Sequence, residues 1–283
     1  HISGLMGAAE ILASIREDLP GTVKFIFQPA EEGAPLGEKG GAPYMVEEGV
    51  MNNPKVDAIF GLHAWPGLLG TAQYRSGPMM AAAERMRITV TGVQTHGAKP
   101  WGGVDPIVIS AQIINSLQTI IAREVDITEV PAIVTIGSIH GGVRNNIIPE
   151  EVIMEGTIRT FNEDVRQQIH ASIRNKVEMI AAASGAEAKL EIFSGIAKVT
   201  YNEPSLTEQM LPSLRRVYGE ENVKVRPFVT GAEDFPFFTD HAPGLYFFNG
   251  VAVDPSKASS NHSPYFAADE RNLKFGMKSL AQL

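Results

Sequence analysis

Two adjacent glutamates, Glu31 and Glu32, follow two residues after a short apolar segment, residues 22–28, which is predicted to form a strand. Because open α/β sheets bind their ligands at the carboxyl ends of strands, this position suits a functional site. One carboxylate of such a pair can bind a metal ion while the other acts as a general base on water. Taken alone, the pair is more often a solvated acidic loop, so a functional interpretation needs partners elsewhere in the chain.

Two histidines could supply those partners. His63 ends a second apolar segment, residues 56–63, and would lie at the same sheet edge as Glu32 if the two strands run parallel. His262 lies in a loop just before the last predicted helix. Imidazole is a common metal ligand in proteins. The alternative interpretations are a hydrogen-bonded core histidine for His63 and an exposed loop histidine for His262.

Three further polar residues lie in the middle of the chain. His96 follows a predicted strand in a glycine-flanked loop, Asn146 lies in a loop before another strand, and Arg159 alternates with Ile158 on that strand's polar face. Each has an ordinary alternative, since a loop histidine or asparagine can shape a turn and a strand arginine can be solvated. A turn at 231–236 carries two more acids, which either add to the site or, in the case of Asp234, cap a short helix.

Composition narrows the class of protein. The chain has 283 residues, of which 44% are hydrophobic and 20% charged, as in soluble globular proteins. Its formal net charge of −8 argues against nucleic-acid and anionic-membrane partners, which need a basic face. The absence of cysteine excludes a disulfide scaffold and a thiol nucleophile within this stretch, and it agrees with a cytoplasmic protein. The sequence starts at His1 inside a predicted helix, so a signal peptide cannot be assessed.

The predicted helices and strands follow two different patterns in different parts of the chain. Residues 1–83 and 196–283 alternate helices with apolar strands, which is typical of an α/β domain. Residues 84–195 have the order β-α-β-β-α-β of a ferredoxin-like unit, with half-polar strands. Its first helix is predicted over 106–123, with Asp105 as N-cap and Pro106 at the first helical position. The fold class is therefore an α/β sheet covered by helices and interrupted by an inserted α+β domain.

Seven motifs, taken together and in order, resemble the M20 metallopeptidases, specifically the aminoacylase-like amidohydrolases that include hippurate hydrolases, N-acyl-L-amino-acid amidohydrolases and auxin-conjugate hydrolases. The matching stretches are QPAEEG at 28–33, GLHAWP at 61–66, GPMMAAAE at 77–84, THGAKP at 95–100, NNIIPEEVIMEGTIRT at 145–160, GAEDFPFF at 231–238 and NHSPYF at 261–266. The resemblance implies a catalytic α/β domain with two divalent metal ions (Zn, Mn, Co or Ni) and an inserted lid or dimerisation domain at 84–195.

The resemblance also implies a role for each candidate residue. Glu31 resembles the general base, and His96 resembles a lid histidine that stabilises the oxyanion, in some relatives from the neighbouring subunit. The implied metal ligands are Glu32, His63 and His262, and the implied contacts to the substrate carboxylate or the oxyanion are Asn146 and Arg159.

The implied function is hydrolysis of the amide bond in small N-acyl-L-amino acids by metal-activated water, in a homodimer or higher homo-oligomer formed through the lid. Two alternatives stay open: an N-acetyl-diaminopimelate deacetylase or dipeptidase of the same family, and an inactive binding or scaffold fragment. The second arises because the family's Cys-Gly-His-Asp motif, which carries two ligands, is absent here. We therefore expect that the sequence lacks an N-terminal segment and that these 283 residues alone are inactive.

Overall fold

The computed structural model describes residues 1–35 and 38–283, apart from the side chains of residues 194–196. The helices are α1 (Ile2–Ser14), α2 (Gly41–Glu47), α3 (Pro106–Arg123), α4 (Glu163–Ala183), α5 (Pro204–Tyr218), α6 (Pro236–Thr239) and α7 (Arg271–Gln282). The strands are β1 (Ile59–Leu68), β2 (Ala72–Tyr74), β3 (Gly77–Met80), β4 (Ala82–Thr91), β5 (Thr95–His96), β6 (Ala132–Gly141), β7 (Ile147–Ile148), β8 (Glu151–Thr160), β9 (Glu187–Ala197), β10 (Thr200–Asn202), β11 (Val223–Val225) and β12 (Gly244–Ala252).

These elements form two compact units. The first unit comprises His1–Met79, Thr200–Val229 and Glu233–Leu283, and the second comprises Met80–Val199 and Thr230–Ala232. No helix in the described part of the chain combines the length and the apolar character needed to cross a bilayer.

The first unit contains a mixed four-stranded sheet in the order β1-β12-β2-β11. Strands β1 and β12 run parallel, and His63 is paired with Phe248 in their ladder. Every residue of β12 is buried, as its continuous apolar sequence predicts. The core beside this sheet is formed by Leu214 and Tyr218 of α5 together with Leu245 and Phe247 of β12. Burying these large side chains, at about 1.5–3 kcal/mol each, fixes β12 as the frame of the unit.

One predicted strand is wrong. Residues 22–28 form no ladder with any described strand, and Val23 and Phe27 are 46% and 45% exposed. The segment is instead held by the Lys24 ammonium, which donates to the carbonyl oxygens of Val50 and Pro54 at 2.6 and 2.8 Å. An apolar sequence permits a strand, but a strand forms only where a partner's backbone groups are available.

The second unit contains an antiparallel four-stranded sheet in the order β6-β8-β4-β9. This is the strand order of a ferredoxin-like fold. Helices α3 and α4 pack against one face, where Ile113 and Leu117 of α3 and Ile169 and Ile173 of α4 are fully buried. The predicted start of α3 is confirmed: Asp105 is its N-cap and Pro106 its first residue.

We expect Asp105→Ala to destabilise α3 by about 1 kcal/mol, because the Asp105 carboxylate accepts hydrogen bonds from the amides of Ile107 and Val108 at 2.8 and 3.4 Å. Hydrogen exchange of peptides from residues 106–123 measures this loss. Asp105→Asn is the control, since asparagine caps helices equally well. If both variants exchange equally fast, the side chain does not act as a cap.

Candidate metal centre

Three carboxylates converge in the first unit. Glu31 lies in a turn after Ala30, whose φ of +53° is in the left-handed region, and Glu233 and Asp234 precede α6. Their oxygen atoms all lie within 4.8 Å of one another. Glu233 and Asp234 are only 7% and 8% exposed. Three acids so close together cannot all be ionised without a cation, because each charge opposes the next.

The electrostatics of the cluster follow from this crowding. Burial raises the pKa of Glu233 well above its ordinary value, and the neighbouring charge of Glu31 raises it further. Burial also raises the pKa of Glu31, to which Asp234 and Glu32 add, while a hydrogen bond with Glu233 lowers it. A carboxylate whose pKa is raised above its ordinary value is a stronger base for removing a proton from water.

Asp234 is held by the segment that precedes Glu31. Its two carboxylate oxygens accept from the Gln28 side-chain amide at 2.8 and 2.7 Å, and one also accepts from the Ala42 amide at 2.7 Å. Gly41 makes this approach possible, because it has a φ of +72° and a Cβ there would lie 2.6 Å from the Asp234 carboxylate. Asp234 does not cap α6, the short helix that it precedes, which has Phe235 as N-cap and no side-chain cap; its carboxylate instead accepts from an amide in the first turn of α2.

His63 faces the same cluster from the middle of β1, and not from the end of a strand as predicted. Its Nδ1 lies 2.7 Å from the Ala64 carbonyl oxygen, so Nδ1 carries the proton and Nε2 keeps its lone pair. That Nε2 lies 3.5 Å from Glu233 Oε1. Burial lowers the pKa of His63, which keeps the ring neutral. A neutral imidazole with a free Nε2 beside a carboxylate is a suitable metal-ligand arrangement.

His262 forms a second imidazole–carboxylate pair, with Glu32. Its Nε2 lies 3.5 Å from Glu32 Oε1, and the two side chains are 69% and 72% exposed. Its loop is tied to β1 because the Asn261 side chain donates to the Ala64 carbonyl oxygen at 3.0 Å. The charge of His262 also lowers the pKa values of Glu31 and His63. The His262–Glu32 pair and the His63–Glu233 pair therefore both lie within electrostatic reach of Glu31.

The donors fit divalent cations. Among the described residues, the group in which three ligand atoms converge is the cluster of Glu31, Glu233 and Asp234. The predicted ligands Glu32, His63 and His262 do not meet at one point; each imidazole faces a different carboxylate. Two carboxylate–imidazole pairs adjoining one further carboxylate match the mixed oxygen and nitrogen ligation of a two-metal site.

Two further residues, Tyr246 and His1, lie beside the cluster and its histidine without a role predicted from the sequence. The Tyr246 hydroxyl is hydrogen-bonded to Glu233 inside the apolar strand β12, and burial raises its pKa well above the ordinary value. His1, which the sequence leaves unassigned, accepts a hydrogen bond at Nε2 from the Ala64 amide at 2.7 Å, and its ring centroid lies 5.1 Å from that of His63. A hydroxyl in the apolar run of β12 is the only signal that could have indicated Tyr246.

The remaining candidate residues lie in the second unit. His96 of β5 is exposed, and its Nδ1 accepts from the Ala98 amide at 3.0 Å. It is next to Asn146, since the Gly97 amide donates to the Asn146 carbonyl oxygen at 2.8 Å. Arg159 is half-buried near the other end of β8, paired with Ala83 and Ile133. The structure therefore brings His96 and Asn146 together and separates Arg159 from them.

Comparison with known proteins decides the family. The profile of the peptidase family M20/M25/M40 matches residues 1–283. The chain belongs to this family. Membership of the M20 family, which the seven motifs predict, is therefore confirmed. The α/β fold class is also confirmed, because solved M20 structures share the fold over nearly the whole chain.

Three relatives show what this M20 chain is similar to. It is 37% identical to thermostable carboxypeptidase 2 of Saccharolobus solfataricus, over 100% of this chain and 70% of that protein. It is 34% identical to N-acetylcysteine deacetylase of Bacillus subtilis, over 100% of this chain and 71% of that protein. A dinuclear metal-binding M20 peptidase from Bacillus subtilis superposes with a TM-score of 0.78 at 32% identity, covering 99% of this chain and 68% of that one. Membership of the family supports a hydrolase that acts on amide or peptide bonds.

Proposed function

We propose that this protein is a metal-dependent amidohydrolase that cleaves the amide bond of N-acyl-L-amino acids or related small conjugates. The observation that carries the proposal is the position of Glu31, which hydrogen-bonds Glu233 and interacts with the charges of Glu32 and His262. A base with a raised pKa beside two carboxylate–imidazole pairs is equipped to activate water next to divalent ions. The deacetylase among its relatives is named for an N-acyl amino acid substrate.

In this mechanism Glu31 moves the proton. Its carboxylate removes a proton from the attacking water and then delivers it to the nitrogen of the leaving amine. His63 and Glu233, together with Glu32 and His262, would hold the divalent ions, and Asp234 keeps the cluster against Gln28 and α2. Such ions, when bound, polarise the scissile carbonyl group and lower the pKa of water.

The second unit supplies substrate contacts in this proposal. Arg159 lies eight residues along β8 from Glu151, roughly 26 Å at 3.3 Å per residue. Asn146 lies before Glu151 in the chain, beyond that end of β8. His96 is paired with Ile147, the residue that follows Asn146. No single small substrate reaches both ends of this sheet, so one chain cannot use Arg159 together with His96 and Asn146. We therefore propose that His96 and Asn146 stabilise the oxyanion in the site of a second copy, in a homodimer formed through the lid.

The function is tested by reconstituting the purified protein with Zn²⁺, Mn²⁺, Co²⁺ or Ni²⁺ and measuring amine release from a panel of N-acetyl-L-amino acids. Bound metal is quantified in parallel by mass spectrometry. Metal-dependent release from N-acetyl-amino acids supports the proposal. Faster release from N-acetyl-diaminopimelate would favour the deacetylase alternative, and bound metal without hydrolysis of any substrate would favour a binding protein.

A second candidate function is that of a carboxypeptidase. It is favoured by the 37% identity to a thermostable carboxypeptidase along the whole chain. Both activities cleave an amide next to a free carboxylate, so the same site can serve either one. N-acetyl-alanine, Ala-Ala and a benzyloxycarbonyl-dipeptide separate them, because only a carboxypeptidase prefers the blocked peptide.

We expect Arg159→Ala to weaken substrates with a free α-carboxylate by about 10–150-fold in kcat/KM, the loss of a charge-assisted contact worth about 1.5–3 kcal/mol. No described residue forms an ion pair with Arg159, and its half-buried guanidinium is therefore available to a ligand. Matched acid and amide substrates measure the effect. Arg87→Ala is the control, since Glu155 already occupies that guanidinium at 2.6 Å. Equal losses for acid and amide would refute the assignment.

A further inference from the structure

A cavity of about 390 Å³ opens in the first unit beside β1. Its wall consists of Trp65, Gly67, Gln73 and residues 224–228. It adjoins the candidate metal centre, because the ring centroids of Trp65 and His63 lie 5.8 Å apart. The amidohydrolase proposed above assigns no role to this cavity. Its size is within the range of small-ligand pockets.

Arg226 is the central polar group of the cavity. Its guanidinium carbon lies 4.3 Å from the centroid of Trp65 and 4.5 Å from that of Phe248. Its backbone amide donates to Tyr74, and one guanidinium nitrogen donates to Gln73 Oε1 at 2.6 Å. Aromatic stacking occupies the faces of a guanidinium and leaves its N–H edges for hydrogen bonds. Gln73 satisfies only part of that edge.

The charges of the cavity are all positive. Arg226 and the exposed Lys224 line it, and no acid does. Within the described residues neither cation has a carboxylate at ion-pair distance, although the chain as a whole carries a charge of −8. Burial lowers the pKa of Arg226, which reflects the cost of removing an unpaired cation from water. An anion that entered the cavity would offset that cost.

The cation is also close to the reacting centre. Two aromatic rings contact both the Arg226 guanidinium and the His63 imidazole. Their centroids lie 4.3 Å (Trp65) and 4.5 Å (Phe248) from the guanidinium carbon, and 5.8 and 5.7 Å from the imidazole centroid. A substrate whose amide lies at the candidate metal centre can therefore extend one further group to Arg226.

We propose that this cavity is an anion subsite in which Arg226 binds a second carboxylate of the substrate, besides the α-carboxylate. The substrate class is then that of dicarboxylic N-acyl amino acids. The second carboxylate belongs either to an acidic amino-acid side chain or to a dicarboxylic acyl group, and both present the same oxygens to the guanidinium. This inference rests on the proposed amidohydrolase function and specifies its substrate.

The test is equilibrium binding to the 283-residue protein without added metal, so that no turnover is needed. Trp101→Phe removes the other tryptophan, which is 82% exposed, and leaves Trp65 as the fluorescent reporter at the cavity. The probes are N-acetyl-glutamate against N-acetyl-glutamine, and N-succinyl-alanine against its succinamide analogue. Each pair has one shape and differs by one charge. The pair that shows the larger preference identifies the source of the second carboxylate.

We expect the acid of at least one pair to bind about tenfold more tightly than its amide, the factor that corresponds to 1.4 kcal/mol. Arg226→Met, which keeps the packing of the stem, should reduce this ratio to about one, and Arg216→Met, which changes an exposed arginine of the same unit, should not. Gln73→Glu is a second variant. It places a carboxylate against Arg226 without removing the stacked guanidinium, and it should abolish the preference too.

Two results would overturn the subsite: equal binding of acid and amide in both pairs, or a preference that persists in folded Arg226→Met or Gln73→Glu. Neither result depends on hydrolysis. A protein that binds the diacids selectively but, when loaded with divalent metal, hydrolyses no substrate of the panel would keep the subsite and favour the binding-protein alternative over the amidohydrolase. A protein that hydrolyses N-acetyl-alanine without preferring diacids would do the reverse.

Discussion

Glu31→Gln is expected to lower kcat by at least about 10²–10⁴-fold, the range of a general base, while bound divalent metal stays near its unsubstituted stoichiometry. The amide keeps the size of the side chain and can still hydrogen-bond Glu233, but it cannot accept a proton from water. The loss exceeds that range if the same carboxylate also protonates the leaving amine. Steady-state hydrolysis of an N-acetyl-amino acid and metal analysis of the same preparation measure both quantities.

Two variants control this experiment. Glu38→Gln changes an exposed acid beyond the same turn and should leave kcat unchanged. Glu32→Gln should lower metal occupancy, because Glu32 pairs with His262 and is proposed as a ligand. If Glu31→Gln keeps its activity within a few-fold while Glu32→Gln loses it at full metal occupancy, the base is Glu32 and the two roles are exchanged.

Local signals predicted much of the fold. The second unit has short-range caps and regular periodicity, and the predicted bounds of its first helix agree with the structure, since α3 covers 106–123 with Asp105 as N-cap. The structure adds a cap of the same kind that was not predicted, Asn162, which accepts from the Val165 amide at the start of α4. Such features depend on residues within three or four positions of one another, so the sequence displays them directly. The family resemblance was likewise recognisable, because motif order does not depend on tertiary contacts.

The pairing of strands into sheets was harder to predict. Residues 22–28 have the composition of a strand, but hydrogen bonds to a second strand cannot be deduced from composition, and none form among the described residues. For the same reason His63 was placed at the end of a strand, whereas β1 continues to Leu68. The continuation includes Pro66, which sequence reasoning takes as a strand terminator but which a strand at the edge of its sheet accommodates.

The site was predictable in its donors but not in its geometry. Glu31 and Asp234 are about 200 positions apart, and Gln28, whose side chain donates to Asp234 three residues before Glu31, has no distinguishing pattern in the sequence. The acids at 233–234 could be noticed, but their burial depends on the packing of Gly41 and Tyr246 around them. A buried carboxylate differs from an exposed one only through such long-range neighbours, so sequence alone left a capping role for Asp234 open.

Glu233→Gln is expected to weaken divalent-metal binding by more than the 10–100-fold that loss of an outer-shell partner typically costs. It is also expected to raise the melting temperature of the metal-free protein. The two effects have one cause: Glu233 is 7% exposed and lies against Glu31 and Asp234, so the metal-free fold bears the cost of crowded acids that a cation would relieve. The amide removes that cost together with the charge that attracts the ion. Metal titration by calorimetry and thermal unfolding with and without metal measure both changes.

Glu10→Gln is the matched control, because Glu10 is an exposed acid of α1 in the same unit, and it should change neither quantity. A structural role without metal binding would lower the melting temperature of Glu233→Gln, since the hydrogen bonds to Glu31 and Tyr246 would be weakened, and would leave the metal affinity unchanged. Opposite signs, with higher metal-free stability and weaker metal binding, arise only if the buried acids are there to hold a cation. The combination of higher metal-free stability and weaker metal binding therefore separates a metal centre from a structural carboxylate cluster, whichever divalent ion is used.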